Sequence, residues 1–282
     1  MNMNRIGLQL YSVREALEQD LFATLGSVAD IGYRFVEFPN MSAEKQELLL
    51  ANSAGVHRQL DALGVKTACV SVAACDLAEI DRYIDAAQEL ECKNIAVPIG
   101  FFRNRTDVLR LAEELDRVGD RCRTAGVQLH YHNHFHEFAD LGGFEPLELL
   151  MEHADPKNLH LELDVYWAAR AGRQPLEVFQ RWKERISLVH LKNVSKDAHP
   201  LNLFESIPAG MEIDDSVFVK YALNPSDFVD IGSGALNIGA FVREMSVESK
   251  VEHFIVEQDY SSIGPLNSAK RSFDALKALQ RA

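Results

Sequence analysis

Eight short apolar runs, alternating with stretches of helical spacing, constrain this chain more than any other feature. The runs fall near residues 6–11, 33–38, 65–72, 94–98, 127–132, 159–164, 187–192 and 252–257. Apolar runs of about four to eight residues bounded by turn signals read as strands. Between them, Leu21 to Asp30, Val56 to Leu63 and Val108 to Thr124 carry helical periodicity and are followed by Gly32, Gly64 and Gly126. Glycine is the residue that most readily closes a helix in left-handed backbone. No proline-rich linker or low-complexity tract divides the chain, so one domain spanning 1–282 is expected. Eight alternating units close most economically into a (β/α)8 TIM barrel, an α/β fold whose active sites occupy the C-terminal ends of the strands.

Side-chain alternation supports that closure, because successive residues of a barrel strand face inward and towards the helices in turn. Leu8 and Leu10 oppose Gln9 and Tyr11. Leu129 opposes His130 and His132, and Leu161 and Leu163 oppose Glu162 and Asp164. Val189 and Leu191 oppose His190 and Lys192, while Phe254 and Val256 oppose Ile255 and Glu257. The polar residues share one parity, the inward one. The rhythm breaks over about 194–230 after strand seven, a loop or insertion too long for an ordinary βα connection. Within it, Val217 to Leu223 reads as a short hairpin strand or a lid. The glycine-rich turn Asp230–Asn237 has neither a Walker lysine nor dinucleotide-binding spacing.

Composition narrows the partners. Acidic residues outnumber basic ones 42 to 29, for a formal charge of -13, so a phosphate backbone would be repelled and no nucleic-acid partner is expected. No apolar stretch reaches the roughly 18–20 residues of a membrane span, and the start lacks the apolar core of a secretory signal. No membrane association and a cytoplasmic location are expected. Cys69, Cys75, Cys92 and Cys122 have no CxxC spacing and read as reduced, mostly buried residues.

The later strands end in chemistry. His132, Asp164, His190 and Glu257 sit at matching depths on strands five to eight. Two carboxylates meeting in an enclosed mouth are costly unless a cation offsets them. Two imidazoles and two carboxylates form an open site for a divalent metal (Mn, Co, Zn, Fe or Mg) rather than for calcium. A salt-bridge cluster around Lys192 is the plainer alternative. His130, His134 and His136 crowd the same segment as acid–base or supporting candidates. Glu37, at the end of strand two, shares the inward parity and offers contacts to substrate hydroxyls. Tyr166 and Trp167 offer an aromatic face, and Arg103, in the loop after strand four, offers an anion contact.

These residues also carry a resemblance. The runs Tyr131 to Phe138 (YHNHFHEF), Leu163 to Gly172 (LDVYWAARAG), Val189 to Asn193 (VHLKN), Asp230 to Gly234 (DIGSG) and Ile255 to Asp259 (IVEQD) resemble the xylose isomerase-like family of sugar phosphate isomerases and epimerases. The opening Ile6 to Arg14 is similar too, so the resemblance covers essentially the whole chain. It implies a TIM barrel whose metal ligands come from strands five to eight, typically as Glu, Asp, His and Glu. Those positions fall here on His132, Asp164, His190 and Glu257. His132 stands where many relatives carry glutamate, a departure from the epimerase pattern in which glutamates on strands five and eight exchange a proton. Asn193 and Ser233 also depart from residues common in this subgroup.

The resemblance implies a small-molecule carbohydrate or keto-polyol substrate and a homo-oligomer. The expected activity is a metal-dependent isomerase or epimerase that abstracts a proton α to a carbonyl through an enediolate. Glu257 is the preferred base. His130 or His134 returns the proton or expels a hydroxyl, and Lys192 polarises the carbonyl. The alternatives are a lyase, such as an inosose or dehydroshikimate dehydratase, using the same metal, and a non-catalytic sugar-binding barrel.

Overall fold

The protein is described by a computed structural model over residues 5–247 and 250–279. Residues 1–4 and 280–282, at the ends of the predicted 1–282 span, lie outside the described residues, as do 248–249. The strands are β1 (Ile6–Gln9), β2 (Phe35–Phe38), β3 (Lys66–Ser71), β4 (Asn94–Val97), β5 (Gln128–His132), β6 (Leu159–Asp164), β7 (Ile186–Leu191), β8 (Asn193–Val194), β9 (Phe228–Val229) and β10 (His253–Val256). Eight of them close a parallel barrel in the order β1-β10-β7-β6-β5-β4-β3-β2, and β8 and β9 form a separate two-stranded sheet. The predicted (β/α)8 TIM barrel is therefore the fold of this chain. No helix among the described residues is long and apolar enough to cross a membrane.

Local chemistry explains the elements. Asp20 caps the helix Leu21–Ile31 by accepting from Ala23 N, and Asn104 caps Arg105–Thr124 by accepting from Asp107 N. Outward residues of the strands, including Leu8, Leu129, Leu161, Leu163, Val189, Leu191, Phe254 and Val256, join the core shared with the helices. Cys69, Ala96 and Leu188 form a small apolar cluster of their own. A Cβ on Gly7 would stand 2.7 Å from Ile255 Cδ1, so glycine on β1 makes room for the inward isoleucine of β10. β1 stops at Gln9, whose side-chain oxygen accepts from Tyr11 N and starts a 3-10 turn over Leu10–Val13. Tyr11 thus lies beyond the strand predicted to contain it.

The break after strand seven is an ordered insertion. β8 and β9 clamp its two ends, with Asn193 opposite Val229 and Val194 opposite Phe228. Of the two readings for Val217 to Leu223, a hairpin strand or a lid, the strand is not formed: the segment is part of the helix Asp215–Ala222, capped by Asp214 accepting from Val217 N, with Leu223 at its C-terminal end. Phe218 and Ala222, four residues apart, are buried on one face while Val219 and Lys220 are exposed, a helical rather than alternating pattern. Arg170 Nη2 donates to Asp227 Oδ2 at 2.8 Å and pins the returning end to the barrel.

Two histidines of the barrel wall sit in surroundings that disfavour their charged form. Burial lowers His160 and His253 from 6.5 to about 4 each. Between those values the unfolded chain binds more protons than the folded one, so their contribution is intact above pH 6.5 and is lost as pH falls toward 4. The thermal midpoint is expected to decline across that window, and His253→Gln to flatten the decline. An identical slope in that variant would remove His253 as a source.

Candidate metal centre

Parallel pairing sets the depth at which each strand end delivers its side chain. His132 lies opposite Glu162, Asp164 opposite His190, and His190 opposite Ile255. Glu257 follows β10 directly, its backbone N–H donating to Leu191 O at 3.1 Å. One potential donor atom from each of His132, Asp164, His190 and Glu257 thereby falls within 4.8 Å of the others, and all four residues are buried.

Asp164 divides its oxygens between two tasks. Oδ1 accepts the backbone N–H groups of Tyr166 at 2.8 Å and Trp167 at 3.0 Å, capping the helix Val165–Arg170. Oδ2 is buried without a hydrogen-bond partner among the described residues, 3.8 Å from His132 Nε2 and 3.5 Å from Lys192 Nζ. His190 Nδ1 is 2.8 Å from Glu257 Oε2, and its Nε2 is 2.9 Å from Glu37 Oε2. Gln9 Nε2 donates to Glu37 Oε1 at 2.7 Å. Two imidazoles and two carboxylates converging out of water, one oxygen lacking a partner, form a donor set that fits a divalent cation.

The charges in this cluster shape one another. Burial would raise Glu257, but Lys192 and His190 outweigh it and hold the carboxyl well below its usual range. Burial and then the neighbouring Glu162 push Glu37 up to about 8. For His190, burial works against the charged form, yet Glu162 and Glu37 hold it well above its ordinary value. Lys192 is likewise held up against burial by Asp259, Glu257 and Asp164. Its Nζ lies 2.9 Å from Glu257 Oε2 and 3.2 Å from Asp259 Oδ1, and 5.1 Å from the centre of the Trp167 ring. Burial raises Asp259 to about 6 despite the lysine.

A cavity of about 340 Å³ opens above the cluster and is lined by Glu37, His132, His134, Trp167, His190 and Glu257 among the residues expected from sequence. Other expected residues are placed elsewhere. Lys192 is buried behind Glu257 and Asp259 and does not line the cavity. Burial holds His134 well below its ordinary value, in its neutral form. His130 lies a layer deeper, its Nε2 3.0 Å from Asn94 Oδ1, and burial lowers it to about 3. Tyr166 is buried against Phe228 and Trp167. Arg103 is exposed, paired with Glu212 at 2.7 Å, and borders a different cavity of about 680 Å³.

Sequence reasoning missed Glu162, Asp259 and Asp215, which also line the pocket. Glu162 carried a signal, since it shares the inward parity of Asp164. Asp215 and Phe218 come from the inserted helix, which roofs the cavity, and no residue pattern tied that helix to the strands.

Residues 25–279 match the xylose isomerase-like TIM barrel family, and the chain belongs to it. Parts of the chain resemble proteins named inosose dehydratase. Identity is 35% with the one from Lacticaseibacillus casei, over 30% of this chain and 28% of that one. It is 32% with that of Geobacillus kaustophilus (strain HTA426), over 43% and 39%. These matches therefore span less than half the length of either relative. Among solved structures, a sugar phosphate isomerase/epimerase from Parabacteroides distasonis ATCC 8503 shares the fold with a TM-score of 0.74 at 20% identity, covering 99% of this chain and 95% of that one. The zinc-binding IolI protein superposes with a TM-score of 0.71 at 13% identity, covering 98% and 97%.

Proposed function

We propose that this protein is a divalent-metal-dependent enzyme that removes a proton α to the carbonyl of an uncharged keto-polyol, with loss of water as the overall reaction. The observation that carries the reading is the convergence of His132, Asp164, His190 and Glu257 beneath one cavity. The cavity is of a size for one small ring, at about 340 Å³. Glu37, Glu162, Asp215, Glu257 and Asp259 line it, and no lysine or arginine does among the described residues, which disfavours a phosphorylated substrate. Trp167 and Phe218 offer apolar faces to the C–H surface of a polyol.

A bound divalent cation would supply Lewis acidity, polarising a carbonyl and acidifying the adjacent C–H bond. His132, Asp164, His190 and Glu257 are the residues that would hold it. Glu257 and Glu37 both face the cavity and flank His190 at its two ring nitrogens. Environments that push two carboxyls apart mark a proton-transfer pair. Glu257, ionised beside Lys192, accepts the α proton. The C–H electron pair becomes the new C=C bond as the β C–O bond breaks, and Glu37 protonates the departing hydroxyl to water. His134, neutral, offers a hydrogen bond. Lys192 acts on Glu257 and Asp259 rather than on substrate.

The partial similarity to proteins named inosose dehydratase supports the lyase reading. The Glu37–Glu257 pair also suits an isomerase or epimerase, in which Glu37 returns the proton to carbon. The test is proton NMR in D₂O of the metal-loaded protein with a panel of keto-inositols, ketoses and aldoses. Metal-dependent dehydration products are expected. Deuterium incorporation with the hydroxyls retained would make it an isomerase or epimerase. Stoichiometric metal without exchange across the panel would leave a sugar-binding barrel.

A further inference from the structure

Two imidazoles of the centre share one carboxylate on their far side. His132 Nε2 is turned to Asp164 Oδ2 at 3.8 Å, and His190 Nδ1 to Glu257 Oε2 at 2.8 Å. These are the nitrogens that face the other two members of the donor set. On the opposite edge of each ring, His132 Nδ1 lies 3.3 Å from Glu162 Oε2, and His190 Nε2 lies 3.3 Å from Glu162 Oε1. One carboxylate thus reaches two histidines, an oxygen to each. The rings themselves sit with centroids 4.5 Å apart at 63°, so a shift of either is felt by the other.

The backbone delivers Glu162 to this place. The β6–β7 register shifts between Leu161 and Glu162, and such irregularities re-aim a side chain. The β2–β3 register shifts similarly between Val36 and Glu37, the other carboxylate that meets His190 Nε2. Glu162 is fully buried, and among the described residues no lysine or arginine pairs with it, so the two histidines are the basic groups that answer its charge. A histidine that ligates a metal through one nitrogen is oriented, and its tautomer set, by what the other nitrogen meets.

We propose that Glu162 is a positioning residue for both histidines of the centre: it fixes the rings so that His132 Nε2 and His190 Nδ1 point to the cation. The inference rests on the metal-centre reading above. It assigns Glu162 no bond to the cation and no contact with the reacting atoms.

The test is titration of apo protein with Co²⁺, reading dissociation constant, stoichiometry and the visible absorption of the bound ion, for wild type, Glu162→Gln, His132→Ala and the double variant. Circular dichroism and the thermal midpoint of each apo protein control for folding. Glu162→Gln preserves shape but removes the negative charge that lies 3.3 Å from a ring nitrogen of each histidine. It is expected to weaken Co²⁺ binding by about 10–100-fold, the usual effect of removing such a partner, with one ion still bound and an altered absorption band. In the His132→Ala background the same change is expected to have a smaller effect, because one of its two routes is gone. Wild-type affinity and spectrum in Glu162→Gln would overturn the proposal, as would complete loss of binding in a folded variant, which would make Glu162 a ligand. Equal penalties in both backgrounds would show that Glu162 does not act through His132. Failure of wild type itself to bind Co²⁺ would overturn the metal-centre reading and this inference with it.

Discussion

Lys192→Met is expected to lower the thermal midpoint of the metal-free protein by on the order of 10 °C. The ammonium lies within 3.5 Å of carboxylate oxygens from Asp164, Glu257 and Asp259, and all four residues are buried. Removing one side of a buried charge cluster leaves the remainder uncompensated, at a cost of about 3–5 kcal/mol. In a barrel of this size each kcal/mol moves the midpoint by about 2–4 °C. Methionine matches the length of the lysine stem, so lost packing contributes little. A divalent cation replaces part of the missing positive charge, and excess Mn²⁺ should therefore raise the midpoint of the variant more than that of the wild type. Thermal unfolding followed by circular dichroism, with and without Mn²⁺, measures both. A variant as stable as wild type without metal would mean that the three carboxylates do not depend on the lysine.

Asp164 should separate two kinds of loss. Asp164→Ala removes the oxygen that caps the helix Val165–Arg170 and the oxygen turned toward His132 and Lys192. The lost cap is worth about 0.5–2 kcal/mol. Asp164→Asn keeps an acceptor for the N–H groups of Tyr166 and Trp167 but removes the negative charge. Both variants are expected to lose stoichiometric uptake of Mn²⁺ or Co²⁺, while only the alanine form shows a clear drop in the apo midpoint. Metal analysis after dialysis, paired with a thermal melt, reads the two effects independently. Retained stoichiometric metal in either variant would remove Asp164 from the proposed ligand set.

The barrel was legible because its signals are local. Apolar runs such as Ile186–Leu191, capping residues such as Asp20 and closing glycines such as Gly32 each act within a few residues, and eight repetitions leave little freedom of architecture. Strand parity also brought His132, Asp164, His190 and Glu257 into view. Parity reports facing and not depth. His130 shares the facing of His132 but starts two residues earlier, about 6.6 Å further down the barrel, and meets Asn94 instead of the cavity. Glu162 stood in plain sight beside Asp164, but its reach to two rings depends on a register shift that no local signal marks. Lys192 has the right parity too, yet Glu257 and Asp259 hold its ammonium out of the cavity. The hairpin-strand reading within the insertion failed for a different reason: Val217, Phe218, Val219 and Tyr221 have strand-favouring side chains, and the Asp214 cap and the burial of Phe218 and Ala222 override them.

The insertion between β8 and β9 is anchored by its own small sheet and by Arg170 on Asp227. It contributes Asp215, Phe218, Val219 and Leu223 to the cavity wall, and none of the four converging donors. The ceiling and the floor of the cavity are therefore built from separate stretches of chain. On the proposed reading, substitutions in this surface excursion would change which molecule the cavity admits and leave the buried ionic arrangement beneath it intact.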